Sequence, residues 1–290
     1  MTIVPGFGLR VSAPGRARKN RSIPTTAPRA LACVSVFDIV PVLLYHSVAD
    51  DPVGDPRFAV SRATFEQHIQ AIEASGRKTV NISDLAAGYR EQQPFAEPVM
   101  AVTFDDGYAD TYEAAIALLD RGLQSTVYIT TSEVDARHRL TCSQVAELAH
   151  LPQIELGAHA VHHRYLDELR DGEIVEEVGP SKIELEEIAQ AAVDSFAYPH
   201  GAYDRRVRRA VIEAGYSSAA AVKNATSHAA DDPYAIARWT VTAGTSAVRI
   251  AQILAGDNVP RAWARERGRT RAYRAVRRGR RRLATIAART

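Results

Sequence analysis

The sequence predicts a parallel α/β fold, either a barrel or a doubly wound sheet. Short apolar runs alternate with amphipathic stretches from about residue 40 to residue 254, and that alternation is the mark of strand–helix units and a parallel sheet. The residues best equipped for chemistry follow directly on the predicted strands, where parallel α/β folds carry their sites.

Taken in order, residues 40–45 (VPVLLY) form a buried strand that ends at His46. Residues 61–75 place Phe65, Ile69 and Ile72 at helical spacing, with Gly76 as the C-cap. Ser83 is placed to N-cap a helix that runs to about residue 92. Residues 98–104 (PVMAVTF) read as a strand running straight into Asp105, Asp106 and Gly107. A helix over about 110–121 closes at Gly122. Next come a strand at 125–130 (STVYIT), a helix at 141–150 capped by Thr141, and a strand at 153–158 (QIELGA) that stops at His159. Residues 171–192 read as a long helix with a candidate break at Gly179-Pro180. A short strand at 195–198 leads into Pro199, His200 and Gly201. A helix at 203–214 precedes Gly215, two short strands fit at 217–222 and 235–241, and a last helix covers about 246–254. There is no internal repeat.

An apolar fraction of 46% and a charged fraction of 24% allow an ordinary soluble globular core without staples. The two cysteines, Cys33 and Cys142, lie far apart, with no CxxC pair. That count excludes a disulfide framework and a thiolate zinc knuckle, and the plain reading is two small core residues. The net charge of +2 conceals an asymmetry. Residues 1–30 carry +6 and residues 261–290 carry +11, so the body between them holds −15. Residues 1–37 are expected to be a basic, disordered N-terminal segment, and whether they belong to the true start is open. Residues 38–259 are expected to form the domain. Residues 260–290 are read as an Arg-rich tail with helical character, solvated or reaching an anionic membrane surface or an acidic partner. An acidic body argues against nucleic acid as a partner. No apolar run is long enough to span a bilayer and no clean leader is legible. The expectation is a cytoplasmic protein or one peripheral at the cytoplasmic membrane face, with secretion left open.

The candidate chemistry starts with His159 and His163 in GAHAVHH. Imidazoles four residues apart can face one metal from a turn, and His162 offers an alternative at closer spacing. Asp105 and Asp106, adjacent at the end of an apolar strand, repel each other and lose hydration. They need a cation or strong hydrogen bonds to stay ionised. The plainer readings are surface histidines and an Asp-Asp-Gly turn. Together the two features suit a catalytic metal site with open coordination positions.

The motifs VTFDDGY (102–108), HAVHH (159–163) and FAYPHGAYD (196–204), in this order, resemble the three motifs of the polysaccharide deacetylases, the NodB-homology or carbohydrate esterase family four proteins. LLYHSV (43–48) resembles the N-terminal strand motif of the poly-N-acetylglucosamine deacetylase branch. The resemblance covers roughly residues 40–245. It implies a distorted (β/α) barrel of about seven parallel strands with loosely packed basic termini. It also implies a hydrolase that removes N-acetyl, or O-acetyl, groups from a sugar or glycan through a metal-bound water. In that scheme Asp106, His159 and His163 hold the metal, zinc first, with cobalt, nickel or manganese also suited. Asp105 is the general base, the backbone N–H of His200 helps bind the oxyanion, and Tyr108 and Pro199 support the site.

The sequence departs from the family in three places. Ala160 replaces a Ser/Thr. Ala197 stands where many relatives carry the arginine that orients the base. Arg238 is a candidate substitute, set against the plainer reading of a surface charge. No late Leu-x-His motif is present, so His46 is assigned as the general acid, as in the poly-N-acetylglucosamine branch. Two other readings remain: a hydrolase of another small amide with the same site, and a catalytically weak carbohydrate-binding relative.

Overall fold

The structure is a computed structural model that describes residues 39–92, 95–263, 276, 277 and 279. The expectation of disorder over 1–37 falls outside the described residues, as does most of the Arg-rich segment. In chain order the elements are β1 (Val42–Tyr45), β2 (Ser47–Val48), β3 (Ala59–Val60), α1 (Arg62–Ala74), β4 (Lys78–Thr79), α2 (Ile82–Glu91), β5 (Val99–Phe104), α3 (Asp110–Leu119) and β6 (Ser125–Ile129). They continue with α4 (Cys142–Ala149), β7 (Ile154–Ala158), α5 (Asp171–Ala189), β8 (Ser195–Ala197), α6 (Arg205–Glu213), β9 (Ser218–Val222), β10 (Ile236–Thr240) and α7 (Ala247–Ala255).

Seven strands close a parallel barrel in the order β1, β10, β9, β8, β7, β6, β5, and β5 returns to β1 through the register Val42↔Ala101 to Tyr45↔Phe104. β4 extends the start of β5, and β2 pairs with β3 apart from the barrel. The expected barrel is therefore what forms. Its strands are nearly continuous apolar runs because both faces are covered. One face of each strand packs beneath the helices: Leu43, Tyr45, Val102, Phe104, Val127, Ile129 and Phe196 belong to that core. The alternate residues Val42, Ala101, Tyr128, Ala197, Ala220 and Ile236 fill the barrel, whose lower end is plugged by Ile82, Leu85 and Tyr89 of α2. The period of two then carries His46, Thr103, Asp105 and Arg238 onto the interior side at the other end.

Several local expectations change. Ser83 does not cap α2. Asn81 holds the cap position, and the half-buried Glu155 carboxylate of β7 accepts the Ile82 N–H (2.9 Å) and the Ser83 N–H (3.2 Å) in its place. A carboxylate reaching from another strand satisfies the free amide donors of a helix start as a local cap would. α5 runs unbroken through Pro180. Pro180 lies on a partly exposed face, where water can take over the carbonyl left without a donor. α6 starts at Arg205 because Asp204 caps the N–H groups of Arg206 and Val207. Cys142, expected in the core, is exposed at the first position of α4. Hydrogen bonding to the body continues past residue 259: Thr226 N–H donates to Pro260, Ala262 N–H to Thr226, and Ala262 is buried. No described helix is long and apolar enough to cross a membrane.

Gly157 faces the ring of Tyr128 inside the barrel, and a Cβ there would stand 2.4 Å from Tyr128 Cε1. Gly157→Ala is expected to destabilise the chain by about 1–3 kcal/mol through overpacking. A urea midpoint equal to the parent's would refute this.

Candidate active site

The upper ends of the barrel strands open into a cleft of about 1090 Å³. His46, Asp105, Asp106, Tyr108, His159, His163 and His200 all line it. Strand ends and left-handed backbone together aim them. Asp106 (φ 74°), Ala160 (63°), His163 (40°) and His200 (58°) are non-glycine residues at positive φ, a concentration of strain typical of functional sites. Pro199, just before His200, is buried. The turn at His200 is closed by the N–H groups of Gly201 and Ala202, which donate to Tyr198 and Pro199. The His200 N–H is not part of either bond.

Asp106, His159 and His163 each offer one ligand atom, and the three atoms lie within 4.8 Å of one another. Asp106 Oδ1 stands 3.4 Å from His159 Nε2 and 3.1 Å from His163 Nε2. It is buried, yet neither approach has hydrogen-bond geometry. Lone pairs thus converge on a common point, and this donor set fits a divalent cation. His159 Nδ1 lies 2.8 Å from the Ala197 carbonyl. Donation there fixes the tautomer and leaves Nε2 free to ligate. Burial pushes His159 down, but Asp105 and Asp106 outweigh it and raise its basicity. Burial pushes Asp106 up, while the two histidines hold it well below the ordinary carboxylate range.

Asp105 is buried and bound at both oxygens by Arg238: Nη1 to Oδ1 at 2.6 Å and Nη2 to Oδ2 at 2.8 Å. Arg238 also donates to Thr103 Oγ1 (3.1 Å) and lies over the Tyr128 ring. The surface-charge reading of Arg238 is corrected: the side chain has no exposed area. Its position on β10, two residues past inward-facing Ile236, turns it into the barrel. Burial would raise Asp105, but Arg238 and then His159 reverse this and hold it below its usual value.

His46 stacks on Phe58 with ring centroids 5.0 Å apart, and its buried Nδ1 has no hydrogen-bond partner. Burial lowers its basicity, opposed by Asp105 and Asp106. His200 is pushed down to about 4 by burial and by His163 beside it.

His162, the alternative ligand, points away. Its Nδ1 is 3.3 Å from Glu177 Oε1 and its side chain is 64% exposed. Glu177 of α5 is itself buried. It accepts the His162 N–H at 2.8 Å, pairs with Arg164 at 3.4 Å, and offers its backbone carbonyl to Val161 N–H. Thr131 N–H donates to the Ala160 carbonyl, and Thr131 Oγ1 bonds Glu184. These contacts brace the loop that a Ser/Thr at position 160 would otherwise help to hold. Glu177 carried no sequence signal, since nothing local links a mid-helix glutamate to a loop 15 residues earlier. Arg139 was missed for the same reason. It donates to the Asp106 carbonyl (3.0 Å) and covers the Tyr108 ring (4.2 Å).

With this geometry in hand, comparison with known proteins is informative. The sequence profile of the polysaccharide deacetylase family matches residues 92–219. Bacillus subtilis YxkH, named as a polysaccharide deacetylase, is 24% identical over 208 residues, which is 71% of this chain and 73% of that protein. The poly-β-1,6-N-acetyl-D-glucosamine N-deacetylase of Escherichia coli K12 is 23% identical over 137 residues, 42% of this chain and 20% of the longer protein. Among solved structures, the Streptococcus pyogenes deacetylase PplD in complex with acetate superposes with a TM-score of 0.68 at 20% identity, covering 74% of this chain and 98% of that one. IcaB from Ammonifex degensii gives 0.67 at 21%, covering 75% and 97%. At these identities the two structures establish likeness of fold.

If the Asp106–His159–His163 cluster binds a divalent cation, Glu177→Ala is expected to weaken that binding, probed with zinc, about 10–100-fold, the usual effect of removing a partner that orients a ligand. His162→Ala should leave zinc affinity unchanged. Competition titration against a chelator reads both, and parental affinity in Glu177→Ala would sink the bracing role.

Proposed function

We propose that this chain, which carries a polysaccharide deacetylase domain and is thereby a hydrolase of carbon–nitrogen bonds in carbohydrates, removes N-acetyl groups with Asp105 as base and His46 as acid. The observation that supports this most directly is the buried, doubly bonded Asp105–Arg238 pair at the edge of the Asp106–His159–His163 cluster. Holding a metal alone needs neither member of that pair. This weighs against a relative that only binds carbohydrate.

A divalent cation held by Asp106, His159 and His163, with zinc our first choice, would acidify a water and polarise the acyl carbonyl. The chain's own groups supply the rest. Asp105 Oδ2, 3.8 Å from His159 Nε2, takes the proton from the attacking water. Arg238 keeps that carboxylate ionised and fixes its direction. The His200 N–H donates to the oxygen on which negative charge develops. His46 gives a proton to the departing nitrogen. Its burial makes the imidazolium a readier donor, and Phe58 holds the ring in place. The proton from His46 lets the C–N bond break with a neutral amine leaving. The freed amine then takes up the proton that Asp105 removed from the water, or one from solvent, and as an ammonium cannot re-attack. Tyr108 lines the cleft beside Asp106 with the Arg139 guanidinium over its ring. The substrate we propose is an N-acetylated sugar or glycan. An acetate-release screen with added zinc, cobalt, nickel or manganese, over sugar-nucleotide, lipid-linked and polymeric N-acetyl substrates, tests this. No release from any of them would defeat the reading.

His46→Ala should lower kcat about 10²–10⁴-fold, the worth of a positioned proton donor, with metal content unchanged by elemental analysis. Parental kcat would remove His46 from the chemistry.

Arg238→Gln tests the ion pair through pH. Removing the neighbouring cation raises the Asp105 pKa, so the base protonates at a higher pH. The acidic limb of the kcat/KM profile should move upward, and an unmoved limb would separate Arg238 from the base.

A further inference from the structure

One wall of the cleft carries His163, His200 and Tyr165, and Arg277 backs the last of them. His163 is tilted against His200, with ring centroids 4.3 Å apart and 57° between the planes. His200 lies on Tyr165 at 3.9 Å with only 13° between the planes. The guanidinium of Arg277 covers Tyr165 at 4.6 Å. Arg277 belongs to the Arg-rich C-terminal segment and pairs with two carboxylates next to Tyr165. Its Nη2 donates to Asp167 Oδ1 (3.1 Å) and Oδ2 (3.0 Å), and its Nε donates to Glu168 Oε1 (2.8 Å). Asp167 is 1% exposed, so its end of the pair is shielded from solvent, while the Arg277 side chain is 26% exposed.

Tyr165 itself is 39% exposed. An aromatic ring that accessible on a loop samples other rotamers unless both faces are held. Here one face is held by His200 and the other by Arg277. Among the described residues the polar contact of the His200 ring is a long one, from Nε2 to the His163 carbonyl (3.3 Å). The position of its ring therefore leans on Tyr165. The charge distribution points the same way: the body carries −15 and residues 261–290 carry +11, and Asp167 and Glu168 are where Arg277 meets the body.

We infer that Arg277 is a positioning residue of the cleft: by clamping Tyr165 it holds His200 against His163 and sets the wall on which the acyl-bearing ring rests. Arg277 is thereby part of the site. The alternative is plain anchoring, in which the ion pair ties down the segment and leaves the stack indifferent to it.

Histidine-labelled 290-residue protein, observed by proton–carbon NMR, separates the two. His200→Ala identifies the His200 Cε1–H resonance, which ring current from Tyr165 displaces upfield in the parent. Arg277→Ala is expected to abolish the displacement. Arg277→Lys should do the same, because an ammonium keeps the charge at Asp167 but cannot lie flat on a ring. The resonance of fully buried His68 reports that each variant is folded. Should Arg277→Ala unfold, the lysine variant decides alone. A parental His200 resonance in a folded variant overturns the inference. In turnover of an N-acetylglucosamine oligomer, Arg277→Ala should raise KM several-fold with kcat unchanged. A fall in kcat at constant KM would overturn the positioning role. The resonance is read without substrate, so failure to release acetate would defeat the proposed function and leave this inference standing.

Discussion

An arginine with no exposed surface can remain inside a barrel only if a carboxylate answers it, and the Arg238–Asp105 pair is the constraint around which this site is arranged. Taking away one member of such a pair typically costs about 3–5 kcal/mol, because the other is left buried and uncompensated. The pair dictates its surroundings. Thr103 takes a further guanidinium proton, Tyr128 supplies a ring beneath it, and residue 157 must be glycine so that this ring fits. The pair also divides the work of two adjacent aspartates. Asp105 is neutralised from within the chain. Asp106 has no arginine or lysine on its carboxylate among the described residues and faces two imidazoles. Two ionised neighbours can then coexist: one has a fixed counter-charge, and the other has a donor set that suits a metal ion.

Backbone strain completes the aiming. Left-handed backbone at four non-glycine positions represents roughly 1–3 kcal/mol each, to be offset elsewhere. For Ala160 and the His163 loop the offset comes from α5 and the Thr131 turn, through Glu177, Glu184 and two backbone bonds. A hydroxyl at position 160 would be a local solution to the same problem. This chain uses a helix 15 or more residues away, so Ala160 is a relocated brace.

How much of this was legible follows from how local each cause is. Strand parity is local. Val42, Leu44 and His46 share one face of β1, Ala101, Thr103 and Asp105 one face of β5, and Ile236, Arg238 and Thr240 one face of β10. Once Ile236 is assigned to the barrel interior, Arg238 must follow it. The surface reading of Arg238 came from its charge, without this period-two argument. The motif residues were legible because strand ends and short loops place them. Glu155 capping α2, Glu177 bracing His162 and Arg277 covering Tyr165 were not, because each joins elements 15 to 112 residues apart by a single side chain. Neither periodicity nor composition marks such partners.

Closure of the barrel explains how an orienting arginine can move without leaving the site. The resemblance led us to look for it near residue 197 on β8, where this chain has alanine. The interior is one shared volume, and a guanidinium from β10 reaches the same carboxylate past β1, which lies between β10 and β5. What the chemistry requires is a cation at a point in space beside Asp105 and clear of Asp106. Any inward-facing register position whose side chain reaches that point can supply it. The vacated position keeps a role through its backbone: the Ala197 carbonyl fixes the His159 tautomer. A substitution at a motif position should therefore be read against the barrel interior as a whole, since here a guanidinium from β10 contacts Asp105 while position 197 holds alanine.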